Sequence, residues 1–84
     1  MTEDLNNKVV AWATEIATQA AELPSKQARD DYLSERRREL MAGARAEGAT
    51  LHDAEILADV CVDAARRIMT ELLALRAGAP QGRA

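Results

Sequence analysis

The chain has 84 residues, 48% hydrophobic and 30% charged, with a net charge of −3. That is an ordinary globular balance for one small domain, neither disordered nor low in complexity. Eighteen alanines, no phenylalanine, one tryptophan and one tyrosine leave only 22 larger hydrophobic residues, so the chain's own core must be thin.

Small domains with thin cores recruit disulfides, a metal or a partner subunit. A single cysteine, Cys61, excludes an internal disulfide, and a single histidine, His52, leaves no Cys/His zinc set. A protein partner is the remaining option. The first residues, Met1-Thr2-Glu3-Asp4, lack the basic-then-apolar layout of a secretory signal, and no window reaches the ~18 apolar residues of a membrane span. A cytoplasmic protein is expected. Arginine outnumbers lysine nine to two beside abundant alanine, as a GC-rich bacterial coding sequence would give.

The punctuation predicts an all-α chain of three antiparallel helices, over about 3–23, 26–47 and 51–77, packed as a small bundle. Thr2 is placed to cap the first helix, with Glu3 and Asp4 suited to the positive end of its dipole. Leu5, Val9, Trp12, Ile16 and Leu23 recur at helical spacing, with Ala13 and Ala20 beside them, as a seam for one neighbour. Pro24 stops this helix.

Ser25 caps the second helix, which runs to the Gly48 stop. Its apolar face is narrow: Leu33, Leu40 and Ala44, with Tyr32 and Met41 at the edges. The centre, Ser34 to Glu39, is wholly polar, and the stems of Arg36 and Arg37 could cover apolar surface beside it.

Thr50-Leu51-His52-Asp53 resembles a capping box and opens the third helix, which ends near Gly78 and Pro80. Residues 78–84 carry no apolar periodicity and read as a flexible tail. The third helix differs in kind from the others. Ala54, Leu57, Ala58, Cys61, Ala64, Ala65, Ile68, Leu72 and Leu75 lie along a broad stripe. Leu51, Val62, Met69 and Leu73 flank it on one side, and Ile56, Val60 and Ala74 on the other. At about 100° per residue the apolar arc spans roughly 200°, twice what a surface helix needs. The other two helices offer one seam each. The excess predicts association through the third helix, either a homodimer or another protein, with Ile56, Val60, Val62, Met69 and Leu73 as anchors; the alternative is a monomeric bundle with the third helix wedged between the other two.

Catalytic constellations do not emerge. His52, Glu55, Asp59 and Asp63 share one side of the third helix, but a metal site needs ligands converging from several elements. Cys61 sits on the apolar stripe nine residues from the only histidine, so it lacks a base. No glycine-rich phosphate loop is present. The expectation is a non-enzyme with no cofactor, no metal and no membrane anchor.

Arg36-Arg37-Arg38 on the second helix, extended by Arg66 and Arg67 of the third, is the best case for phosphate contacts. Against it, the second helix carries six Lys or Arg and five Asp or Glu, and three consecutive residues splay over about 200°. A helix-turn-helix reading of residues 43–67 fails because the recognition helix would open with His52, Asp53 and Glu55. The sequence therefore favours a small interaction module, such as a regulatory adaptor, accessory subunit or inhibitor. A nucleic-acid-associated protein is the alternative.

Overall fold

The computed structural model describes residues 2–78 and shows three helices, α1 (Thr2–Ala21), α2 (Lys26–Ala46) and α3 (Leu51–Arg76). Among the described residues there is no strand. The expected tail lies outside them from residue 79 onward, and the side chains of Thr2 and Leu5, a proposed cap and a seam position, are also outside what is described.

Each boundary has a local cause. α1 ends two residues short of the expected Leu23. Pro24 disfavours helical backbone at the residue before it. The chain tightens there, with the Glu22 and Leu23 amides donating to Gln19 and Ala20 carbonyls at 3.2 and 3.0 Å. Ser25 then caps α2: its side chain accepts the Ala28 amide at 3.1 Å.

Gly48 ends α2 in the left-handed region at φ 103°. Its amide donates to Arg45, and the Ala49 amide reaches back to Ala44 at 3.0 Å, the paired bonds of a Schellman turn. Thr50 caps α3 by accepting the Asp53 amide at 3.1 Å. Gly78, at φ 75°, follows its last turn.

α3 packs along both α1 and α2, which touch each other far less. The central helix of the bundle is therefore the one with the widest apolar arc. Ala13, Ile16, Ala17 and Ala20 of α1, Leu33 of α2, and Val62, Ala65 and Met69 of α3 form one buried cluster. Tyr32, Leu40, Leu72 and Leu73 pack around it, half-buried. The alanine ridge of α1 has no side chain longer than a methyl, so that backbone can approach α3 closely. Ile16 and Leu33, fully buried, each contribute about 1.5–3 kcal/mol by leaving water.

Two solvent-exposed ion pairs join α2 to α3. Arg37 Nε donates to Asp59 Oδ1 at 2.7 Å and Arg66 Nη1 to Asp30 Oδ1 at 3.1 Å. At the other end Arg76 donates to the Ala21 carbonyl at 2.8 Å and to Glu22 at 2.9 Å, tying the last turn of α3 to the end of α1.

Candidate interaction surface

The two flanks of α3 meet different fates. Val62 and Met69 are 8% and 6% exposed and belong to the chain's own core, and Leu73 packs half-buried against it. These three residues, expected as anchors for an outside partner, are corrected to internal packing residues. The physical reason is the position of α3: α1 and α2 together shelter that side of the helix.

On the other flank Ile56 is 49% exposed and Val60 is 50% exposed. They stand one turn apart, on the side of α3 turned away from both neighbours. Ala64, one turn further along, is half-buried and packs against the core cluster, so it only borders this strip. Of the five expected anchors only Ile56 and Val60 stay on the surface, and Leu51 and Leu75, expected on the inner flank and the central stripe, are exposed near the two ends of α3. Val10 of α1, 60% exposed, is a further apolar residue on the surface, and the sequence reading placed it nowhere.

The arginines are mostly engaged. Arg36 pairs with Glu39 at 2.7 Å, Arg37 with Asp59, Arg38 with Glu35, and Arg66 with Asp30. Arg37 also covers Met41, donating to its sulfur at 3.3 Å, and is half-buried, as expected of a stem lying over apolar surface. The hydrogen bond that Arg37 donates to Asp59, together with the carboxylate's charge, raises the Arg37 pKa further. Of the five arginines considered for phosphate contacts, only Arg67 forms no ion pair among the described residues.

The acidic side of α3 faces solvent. Asp59 is held by Arg37, and His52, Glu55 and Asp63 are exposed. No group of three or more His, Cys, Asp or Glu among the described residues is arranged to hold a metal ion. Cys61 is completely buried, and desolvation pushes its thiol pKa up, which leaves it a small hydrophobe. No helix among the described residues is long and apolar enough to cross a membrane.

One feature escaped the sequence reading: a cleft of about 850 Å³ where α1 and α2 diverge near the Gly48 turn. Trp12, Leu40, Ala44 and Leu57 give it apolar walls, and Lys8, Arg36, Glu39 and Glu47 are its charged lining. A Cβ at Gly43 would meet nothing within 4 Å, so this wall is open. The buried Nε of Arg36 has no hydrogen-bond partner. The only sequence signals were a lone tryptophan on the α1 seam and a glycine inside a helix. Its lining holds two basic and two acidic side chains, which favour no ligand charge. No family model matches the chain, and neither a curated protein nor a solved structure matches it.

Proposed function

We infer that this chain is a small, non-catalytic, all-helical interaction protein. It acts as an adaptor, accessory subunit or inhibitor by binding another protein through the outward flank of α3. The observation that carries this reading is the pair Ile56 and Val60, each half-exposed one turn apart on the helix that otherwise forms the centre of the core. Two adjacent β-branched side chains left in water on a small domain offer burial worth about 25 cal/mol per Å² to any partner that covers them. Self-association is one form of this binding. On the same reading the four-residue joints turn each helix back against the direction of the one before.

The arginines support a protein partner over a nucleic acid. Phosphate binding draws on cations free to replace counterions, and four of the five candidate arginines are already neutralised within the chain.

Ile56→Asp with Val60→Asp should leave helicity and thermal midpoint nearly unchanged, because both positions face water. The same double variant, compared as bait with the unaltered chain in its native lysate, should lose the partner that the unaltered chain retains. Equal recovery by both baits, judged by quantitative mass spectrometry, would refute the reading.

A further inference from the structure

We propose that the partner on this strip is a second copy of the chain, with the two α3 helices packed in opposite directions about a two-fold axis at Val60. This rests on the interaction reading above and adds the identity of the occupant. With Val60 as origin, Asp53 lies seven residues before it and Ile56 four before; Ala64 lies four after and Arg67 seven after. Steps of four and seven return to one side of a helix, so these five residues share an arc of about 80°.

The spacing is palindromic, with apolar residues inside and charged ones outside, and the charge is antisymmetric. Reversing a second α3 over the first sets Val60 against Val60 and each Ile56 against the other copy's Ala64. Each Asp53 then meets the other copy's Arg67, twice per dimer, as an isologous interface demands. Packing the helices in the same direction would instead oppose Asp53 to Asp53 and Arg67 to Arg67, so charge selects the reversed arrangement.

The residues needed are available. Ile56 and Val60 are half-exposed and Asp53 and Arg67 are exposed, while Ala64, half-buried against the core cluster, offers only its outer edge to Ile56. Among the described residues neither Asp53 nor Arg67 forms an ion pair, although Asp63 and Glu71 stand one turn to either side of Arg67. The whole helix repeats the asymmetry. Its first half, 51–63, carries Asp53, Glu55, Asp59 and Asp63 with no Lys or Arg. Its second half, 64–76, carries Arg66, Arg67 and Arg76 against Glu71 alone. With the axis at Val60, residues 51–59, carrying Asp53, Glu55 and Asp59, lie over residues 61–69 of the other copy, carrying Asp63, Arg66 and Arg67, so a segment of charge −3 meets one of charge +1 at both ends. A single helix pair covers less than the ~800 Å² per partner of a standard interface, which places this dimer among the weak ones.

Sedimentation of the full chain over about 5–500 µM tests this, with helicity checked by circular dichroism. The unaltered chain should pass from monomer to dimer across that range. Asp53→Lys and Arg67→Glu should each weaken dimerisation about tenfold, since each creates two like-charged contacts. An equimolar mixture of the two variants should recover near-original affinity, because both charged contacts are again of opposite sign. Val60→Arg, which places two like charges on the axis without altering the Asp53 cap position, should abolish the dimer even if Asp53→Lys frays the helix. A chain that stays monomeric throughout removes the second copy as occupant, while the lysate comparison still decides whether the strip binds anything. A dimer that Val60→Arg leaves intact, or variants that gain nothing on mixing, overturns the register.

Discussion

The two flanks of α3 have nearly the same composition and opposite surroundings. Val62 and Met69 on one side are sealed in the core, and Ile56 and Val60 on the other stand half in water. Periodicity reports how much of a helix is apolar, and here it correctly marked α3 as over-wide. It does not report where the neighbours sit. That was decided by α1, whose Ala13, Ala17 and Ala20 make a ridge low enough to press against α3, and by Leu33 of α2, which completes the cluster. A helix with apolar girth to spare keeps the surplus on whichever side its own chain leaves open.

The sharpest way to break this comparison is to truncate one residue on each flank. Met69→Ala should cost about 2–5 kcal/mol, through lost transfer free energy and the cavity left among Ile16, Leu33 and Ala65. Ile56→Ala should cost about 0.5 kcal/mol or less, since its side chain is half in water already. Urea titrations followed by circular dichroism measure both. Similar losses at the two positions would mean that the flanks are not distinguished by burial, and the surface assigned to Ile56 and Val60 would lose its basis. A charge is harsher than truncation on the inner flank: Met69→Asp should unfold the chain and so is unsuited to testing association.

The elements were legible because each is punctuated by a residue with one physical job. Pro24 cannot be followed backward by helix, Ser25 and Thr50 supply acceptors to orphan amides, and Gly48 takes a left-handed turn that a side chain resists. The half-buried stems of Arg36 and Arg37 were legible too, from their place beside a narrow apolar face. What the sequence left open was everything that depends on three helices at once. The sheltered flank of α3, the pairing of Arg66 with Asp30 across 36 residues, and the cleft between Trp12 and Leu57 are products of packing, not of any local pattern. Leu33 looked like one member of a poor seam, yet it is fully buried because α1 and α3 close over it together.

A milder test compares the ends of α3 with its middle. The Thr50 side chain accepts the Asp53 amide at 3.1 Å, and Asp53 itself stands in the first turn, where its negative charge suits the helix dipole. Thr50→Ala should therefore lower stability by about 1 kcal/mol, less than Met69→Ala and more than Ile56→Ala. The ordering matters more than any single value. A cap that cost more than the core residue would indicate that α3 is held at its N-terminus and only loosely packed along its length. Thermal unfolding of the three variants under one buffer gives the ranking directly.

The smallest expected effect separates α3's polar strip from its apolar flanks. Asp30 accepts from Lys26 Nζ at 2.8 Å and from Arg66 at 3.1 Å, and these hydrogen bonds, Lys26's first, hold its carboxyl below the ordinary carboxylate pKa. A carboxyl with a lowered folded-state pKa adds stability that is present above the unfolded value, near pH 4, and is lost as pH falls through the folded value. Asp30→Asn removes that titration. Its stability should be slightly lower than the unaltered chain's at pH 7, and the difference should close on acidification below about pH 4. Because the pair is open to solvent, the difference should also shrink as salt rises past about 0.1 M, where exposed charges are screened within about 10 Å. The apolar flanks predict the opposite: Met69→Ala should lose the same free energy in low and high salt, as long as the chain remains folded. A salt-independent Asp30→Asn would show that the contact between α2 and α3 is set by packing alone, with Arg66 following the helices and not helping to place them.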